Sequence, residues 1–153
     1  MEIICQKIVK LLKENNKTIS FMESCTGGFL ANEITNISGA SEVLKVSAVT
    51  YSNEYKIKFG VKKETIDTYT VYSKETAKEM AKKISEFAGS DIGIGITGEL
   101  GNTINSKPKV YYSIYLTSEE KYINKVIETQ EMPRKSMKKE IAEQIFKDIL
   151  ELF

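Results

Sequence analysis

The sequence predicts an α/β fold in three layers, α/β/α, with a mixed, mostly parallel sheet and a late antiparallel hairpin. Three observations carry that expectation. Short runs rich in β-branched residues alternate with amphipathic helical stretches through most of the chain. One strand-like run, residues 91–97, sets Ile92, Ile94 and Ile96 on one face and bare Gly93 and Gly95 on the other. Two further strand-like runs follow with no helix between them, so the sheet cannot be all parallel.

The elements read as follows. Residues 2–15 carry Ile4, Ile8, Leu11 and Leu12 on one helical face, and Asn15-Asn16 suits a left-handed exit. Residues 18–22 form the first strand. Residues 26–36 read as a helix with Phe29, Leu30 and Ile34 turned inward. Residues 43–51 form a second, β-branched strand. Residues 52–59 make one or two helical turns capped by Ser52 or Asn53 and stopped by Gly60; 63–69 add another short helix. Ser73 is the N-cap of the next helix, with Glu75 meeting its dipole, Ala77, Met80, Ala81, Ile84 and Phe87 at helical spacing, and Gly89 as its stop. The glycine-bearing strand comes next. Residues 109–116 and 121–129 make the hairpin. A helix over 133–153, opened by Pro133, shows Met137, Ile141, Ile145, Ile149 and Leu152 as its stripe.

Composition narrows the chemistry. At 153 residues a single domain spanning 1–153 is expected, large enough to bury a substantial core. A net charge of +1 argues against field-driven binding to nucleic acid or to an anionic membrane. No apolar run is long enough to span a bilayer, and Met-Glu-Ile-Ile-Cys-Gln-Lys is no secretory leader. Two cysteines, Cys5 and Cys25, suggest no disulfide framework, and a cytoplasmic location follows as the expectation. The chain has no histidine. That excludes Ser-His-Asp and Cys-His machinery and His-containing zinc sites. A hydrolase built on this sequence needs Lys, Tyr, Asp or Glu as its base, and a Lys must have its pKa lowered by its surroundings.

In α/β sheets ligands gather beyond the carboxyl ends of the strands. By that rule three stretches converge: 23–28, 50–56 and 97–105. The first, Glu23-Ser24-Cys25-Thr26-Gly27-Gly28, combines a hydroxyl, a carboxylate and free backbone N–H groups at a strand-to-helix turn. Those N–H groups suit an oxyanion or a phosphate, and the sequence leaves the two jobs open. Each residue also has a structural reading. Ser24 can be an N-cap, Lys56 a surface lysine, and Gly27-Gly28 a site of tight packing. Cys25 reads better as a packing residue than as a nucleophile.

The three stretches together resemble the C-terminal domain of the CinA (competence/damage-inducible) family, which includes stand-alone bacterial nicotinamide-mononucleotide amidohydrolases. Residues 23–28 match its ESCTGG motif, and Val49-Thr50-Tyr51-Ser52-Asn53-Glu54-Tyr55-Lys56 matches V-x-Y-S-N-E-x-K. Residues 73–81 are similar to S-x-E-T-A-x-x-M-A, residues 91–98 to D-x-G-I-x-x-T-G, and Arg134 in the last helix also fits. The match runs in order along nearly the whole chain.

The resemblance implies hydrolysis of a nicotinamide carboxamide to ammonia and the nicotinate nucleotide, without cofactor or metal. It implies Ser24 as nucleophile, Lys56 as base and Tyr51 close to the pair. Glu23, Cys25, Thr26, Gly27, Gly28, Asn53, Thr97, Gly98 and Arg134 are the substrate-binding candidates, with Glu23 and Asn53 on ribose or carboxamide. The expected partner is the small nucleotide, with no nucleic acid and no membrane, and a homo-oligomer is a family-level expectation. The third stretch departs from the family pattern T-G-x-A-G-P-x-G, followed later by K-P-V-G. Leu100 replaces a small residue, Asn102 a proline and Val110 a glycine; Glu99 adds a negative charge, and Lys138 stands where a second arginine is common. A second reading follows from these departures: a nucleotide-binding or competence-linked protein with weakened turnover.

Overall fold

The structure is a computed structural model, and it describes residues 1–101, 108–128 and 132–153. Five strands form one sheet: β1 (Ile19–Glu23), β2 (Leu44–Val49), β3 (Ile92–Gly98), β4 (Lys109–Leu116) and β5 (Lys121–Glu128), in the order β2-β1-β3-β4-β5. β1 pairs parallel with both β2 and β3. β4 runs antiparallel to β3, and β5 antiparallel to β4. Only β4 is therefore reversed, and the mixed, mostly parallel sheet with a late hairpin is what the chain forms.

Among the described residues there are six α-helices: α1 (Glu2–Glu14), α2 (Phe29–Thr35), α3 (Asn53–Lys58), α4 (Lys63–Tyr69), α5 (Lys74–Ala88) and α6 (Arg134–Leu150). α1, α2 and α6 pack together on one face, while α5, with α4 beside it, lies against the other. Strand pleating explains the division. Phe21, Ile94 and Ile96 point into the larger core under α1, α2 and α6. Met22 points the other way, into a smaller core with Val61, Ile66, Met80 and Ile84. β1 is buried along its whole length, as expected of a central strand with both faces covered.

Local chemistry sets the ends of the elements. Asn16 leaves α1 at φ 50. Ser73 Oγ accepts the Thr76 N–H at 3.1 Å and caps α5, and Gly89 closes it in the left-handed conformation. Gly93 and Gly95 answer a question the sequence leaves open. A Cβ on Gly93 would lie 2.1 Å from the Ala81 carbonyl oxygen, and one on Gly95 would lie 2.4 Å from the Ala77 carbonyl oxygen. The close neighbour is α5 and not a ligand.

Two predicted boundaries move. The helix expected from residue 26 starts at Phe29, because Gly27 and Gly28 take φ 62 and φ 90 and prolong the turn. The second strand starts at Leu44, after a short 3₁₀ turn at Ala40–Glu42. Residues 102–105 of the third predicted stretch, with the Asn102 departure, and Thr129 lie outside the described residues. Among the described residues no helix is long and apolar enough to cross a membrane.

Candidate active site

The ladder pairs Glu23 with Val49 on one side and with Ile96 on the other, so three parallel strands end side by side. Ser24, Tyr51, Asn53, Lys56, Gly98 and Glu99 follow those ends and line a cavity of ≈ 270 Å³. The wall is completed by Cys25, Val71, Tyr72, Leu100, Gly101 and, from α6, Arg134.

The turn after β1 is rigid for a specific reason. Ser24 N–H still donates to the Ile96 carbonyl at 3.0 Å, extending the ladder by one residue. Glu23, fully buried, then folds its carboxylate under the turn. Oε2 accepts from Thr26 Oγ1 at 2.7 Å, from Gly28 N–H at 3.1 Å and from Leu30 N–H at 3.2 Å; Oε1 accepts from Ala31 N–H at 3.0 Å. An internal carboxylate thus occupies the amino end of α2, which would otherwise be free for an anion. Expected as substrate contacts, the Glu23 carboxylate, the Thr26 hydroxyl and the Gly28 N–H are instead bonded to one another and hold the turn, which leaves Thr26 only its backbone N–H for a ligand. The sequence could not show this, because Glu23 reaches donors five to eight residues ahead.

Lys56 enters from the middle of α3, a helix capped by Ser52 through the Tyr55 N–H. Its side chain is 1% exposed. Nζ donates to Ser24 Oγ at 2.9 Å and to the Thr50 carbonyl at 2.7 Å. Burial lowers its pKa from the ordinary lysine value, since desolvation penalises the ammonium form. The Thr50 carbonyl as second acceptor was not foreseen. Its only signal is its place inside the second motif.

Tyr51 lines the same cavity as the pair, but no hydrogen bond joins its hydroxyl to Ser24 or Lys56 among the described residues. It is exposed, and its hydroxyl accepts from Arg134 Nη2 at 3.4 Å. Arg134 Nη1 donates to the Leu100 carbonyl, so one guanidinium ties α6 to both the β2–α3 connection and the β3 exit. Thr97 is buried and is not one of the lining residues; its hydroxyl donates to the Val71 carbonyl at 2.9 Å. It therefore positions the segment that supplies Val71 and Tyr72, two lining residues the sequence did not single out. Gly98 does line the cavity, and a Cβ there would meet the Lys109 carbonyl oxygen at 2.5 Å. Gly27 lies outside the cavity lining, and a Cβ there would meet Lys138 Nζ at 3.1 Å. Asn53 is exposed at the rim. Cys25 is buried, and burial pushes its thiol up to about 12, so it is a packing wall and no nucleophile.

The Cys25 and Thr26 N–H groups donate to no acceptor on another residue among the described residues, apart from any to a ligand. The arrangement is a buried hydroxyl joined to a desolvated amine, followed in the chain by two backbone donors. That combination suits attack on a carbonyl carbon. Among the described residues no group of three or more His, Cys, Asp or Glu side chains is placed to hold a metal ion.

Comparison with known proteins identifies the family and agrees with the fold. The family described as CinA C-terminal domain matches residues 1–153. A CinA-like protein of Kosmotoga olearia is 46% identical over 110 residues, covering 71% of this chain and 27% of its own length. A CinA-like protein of Endomicrobium trichonymphae is 47% identical over 113 residues, covering 73% and 26%. The chain thus spans about a quarter of the length of these curated relatives. The crystal structure of the competence/damage inducible protein CihA from Agrobacterium tumefaciens superposes with a TM-score of 0.92 at 24% identity, covering 99% of this chain and 94% of that one. A competence-damaged protein (CinA) superfamily protein from Escherichia coli gives 0.90 at 21% identity, over 99% and 90%. At these identities the two structures speak for the fold, and the sequence match speaks for the family: the chain belongs to the CinA C-terminal domain family.

Proposed function

We propose that this chain is an amidohydrolase that converts nicotinamide mononucleotide, or a related pyridine nucleotide, to the nicotinate nucleotide and ammonia. One observation carries the reading: a buried lysine amine bonded at 2.9 Å to a serine hydroxyl at the end of β1. With its pKa lowered, Lys56 spends more of its time neutral and keeps a lone pair. The Thr50 carbonyl takes one of its N–H bonds and holds the amine beside Ser24, where the neutral form can turn its lone pair to the Ser24 hydroxyl.

In this mechanism Lys56 takes the Ser24 proton as Oγ bonds to the carboxamide carbon. The carbonyl oxygen becomes an oxyanion, for which the Cys25 and Thr26 N–H groups are the nearest donors along the chain. Collapse breaks the C–N bond, and the Lys56 ammonium returns the proton to the departing nitrogen as ammonia. Water then cleaves the acyl-serine, with Lys56 again as base. Neither step needs a redox partner or a second substrate beyond water.

Ammonia release from nicotinamide mononucleotide by the purified protein tests the proposal. Ser24→Ala should lower the rate by about 10³-fold or more. No release from the unmodified protein, or an equal rate in Ser24→Ala, sinks it. A second reading is favoured by two lining residues: Leu100, where the family pattern has a small residue, and Glu99, which adds a negative charge. It predicts a nucleotide-dependent rise in melting temperature without ammonia.

A further inference from the structure

Glu99 is the charged lining residue whose role the dyad does not explain. It is half-buried and lines the same cavity as the buried Ser24 and Lys56 and the exposed Tyr51. Its backbone is fixed, because its N–H donates to the Lys109 carbonyl at 3.1 Å and Gly98 before it admits no Cβ. Among the described residues its carboxylate has neither a hydrogen bond nor an ion pair. The one other lining cation, Arg134, spends its guanidinium on the Leu100 carbonyl and the Tyr51 hydroxyl. A half-buried carboxylate without a counter-charge favours a cation beside it. Two tyrosine rings, Tyr51 and Tyr72, line the same cavity, and aromatic faces attract cations too.

We infer that Glu99 is a specificity-determining residue that selects a primary amide carried on a positively charged ring, with Tyr51 and Tyr72 beside that ring. The inference rests on the amidohydrolase reading and names the substrate feature that reading leaves open. A quaternary pyridinium holds its charge on the ring that bears the carboxamide. Seating the carboxamide carbon at Ser24 therefore keeps the charge within this small cavity. A phosphate has no such attraction to Glu99 and is directed away from it, to the Arg134 side of the mouth.

Three probes separate ring charge from phosphate: nicotinamide mononucleotide with both, nicotinamide riboside with the ring charge alone, and reduced nicotinamide mononucleotide with phosphate and a neutral ring. Binding is measured on Ser24→Ala protein with and without Glu99→Gln. The expected result is a roughly tenfold weakening of the two cationic-ring ligands and less than about twofold change for the reduced one. Glu99→Lys should weaken the cationic ligands further and tighten the reduced one. Equal changes for all three probes, binding of none of them, or tightening confined to the two phosphate-bearing probes in Glu99→Gln overturns the inference. Ammonia release by the unmodified protein is scored separately. Charge-selective binding without ammonia removes the proposed turnover and keeps the role of Glu99, whereas ammonia without charge selectivity removes only Glu99.

Discussion

Two buried ionisable side chains, Glu23 and Lys56, sit on either side of Ser24 and do different work. Glu23 is anchored by four donors from the turn and α2. Glu23→Gln would turn an amide NH₂ toward an N–H or the Thr26 hydroxyl and should cost about 1–3 kcal/mol, read as a lower urea midpoint at unchanged m. A midpoint equal to that of the unmodified protein would show that the carboxylate is not needed there. Lys56 has the opposite economy, because burial disfavours its charge. Between its depressed folded pKa and the ordinary value of 10.5, the unfolded chain binds more protons than the folded one. Stability from this residue therefore rises with pH through that window. Lys56→Met should melt above the unmodified protein at neutral pH, and the gap should narrow as pH approaches 10.5. A gap that widens with pH contradicts the assignment. On the same logic kcat/KM should climb with pH through a midpoint below the ordinary lysine value. The sequence announces Ser24 and Lys56 by motif and by the missing histidines. It cannot announce that Glu23 is consumed by backbone donors, because that depends on how the turn curls.

At the scale of elements, the contact between α5 and β3 fixes the sheet against its second layer. Alternating glycines advertised a close approach, yet a bare face describes a space and not what fills it. Backbone atoms of α5 fill it, since a Cβ on Gly93 would sit 2.1 Å from the Ala81 carbonyl oxygen. Gly93→Ala should force helix and strand apart and cost about 3 kcal/mol or more. Gly89→Ala meets nothing within 4 Å but keeps a left-handed φ of 62, and should cost only about 1 kcal/mol. Urea midpoints in the reverse order would refute the packing argument. The same contact matters for the site. Thr97, at the end of β3, holds the Val71 carbonyl just before α5 begins, and Val71 and Tyr72 wall the cavity. Those two residues were illegible in the sequence because their placement depends on α4, α5 and β3 together.

The whole molecule is built on one sheet whose interior strand β1 feeds two cores. The carboxyl ends of β1, β2 and β3 gather by the rule for α/β sheets, which is why the meeting of residues 23–28 with 50–56 could be read in advance; the order of the strands could not. Directions of individual side chains could not, and Tyr51 is the example: its hydroxyl turns to Arg134 and not to the Ser24–Lys56 pair. The two cores also make a claim about cooperativity. Phe146 lies wholly buried in the larger core and Met80 in the smaller, on opposite faces of the sheet. Adjacent residues of β1, Phe21 and Met22, each enter one of them. Losing either core therefore unseats the strand that carries Ser24. Phe146→Ala should cost about 3–5 kcal/mol and Met80→Ala about 2–5 kcal/mol. Each should shift a single unfolding transition in which far-UV circular dichroism and the near-ultraviolet signal of the tyrosines fall together. If Met80→Ala instead splits the transition, leaving the α1–α2–α6 side folded after α4 and α5 have melted, then β1 does not couple the two layers. The site would then open by local unfolding of the α5 face while the larger core stays intact.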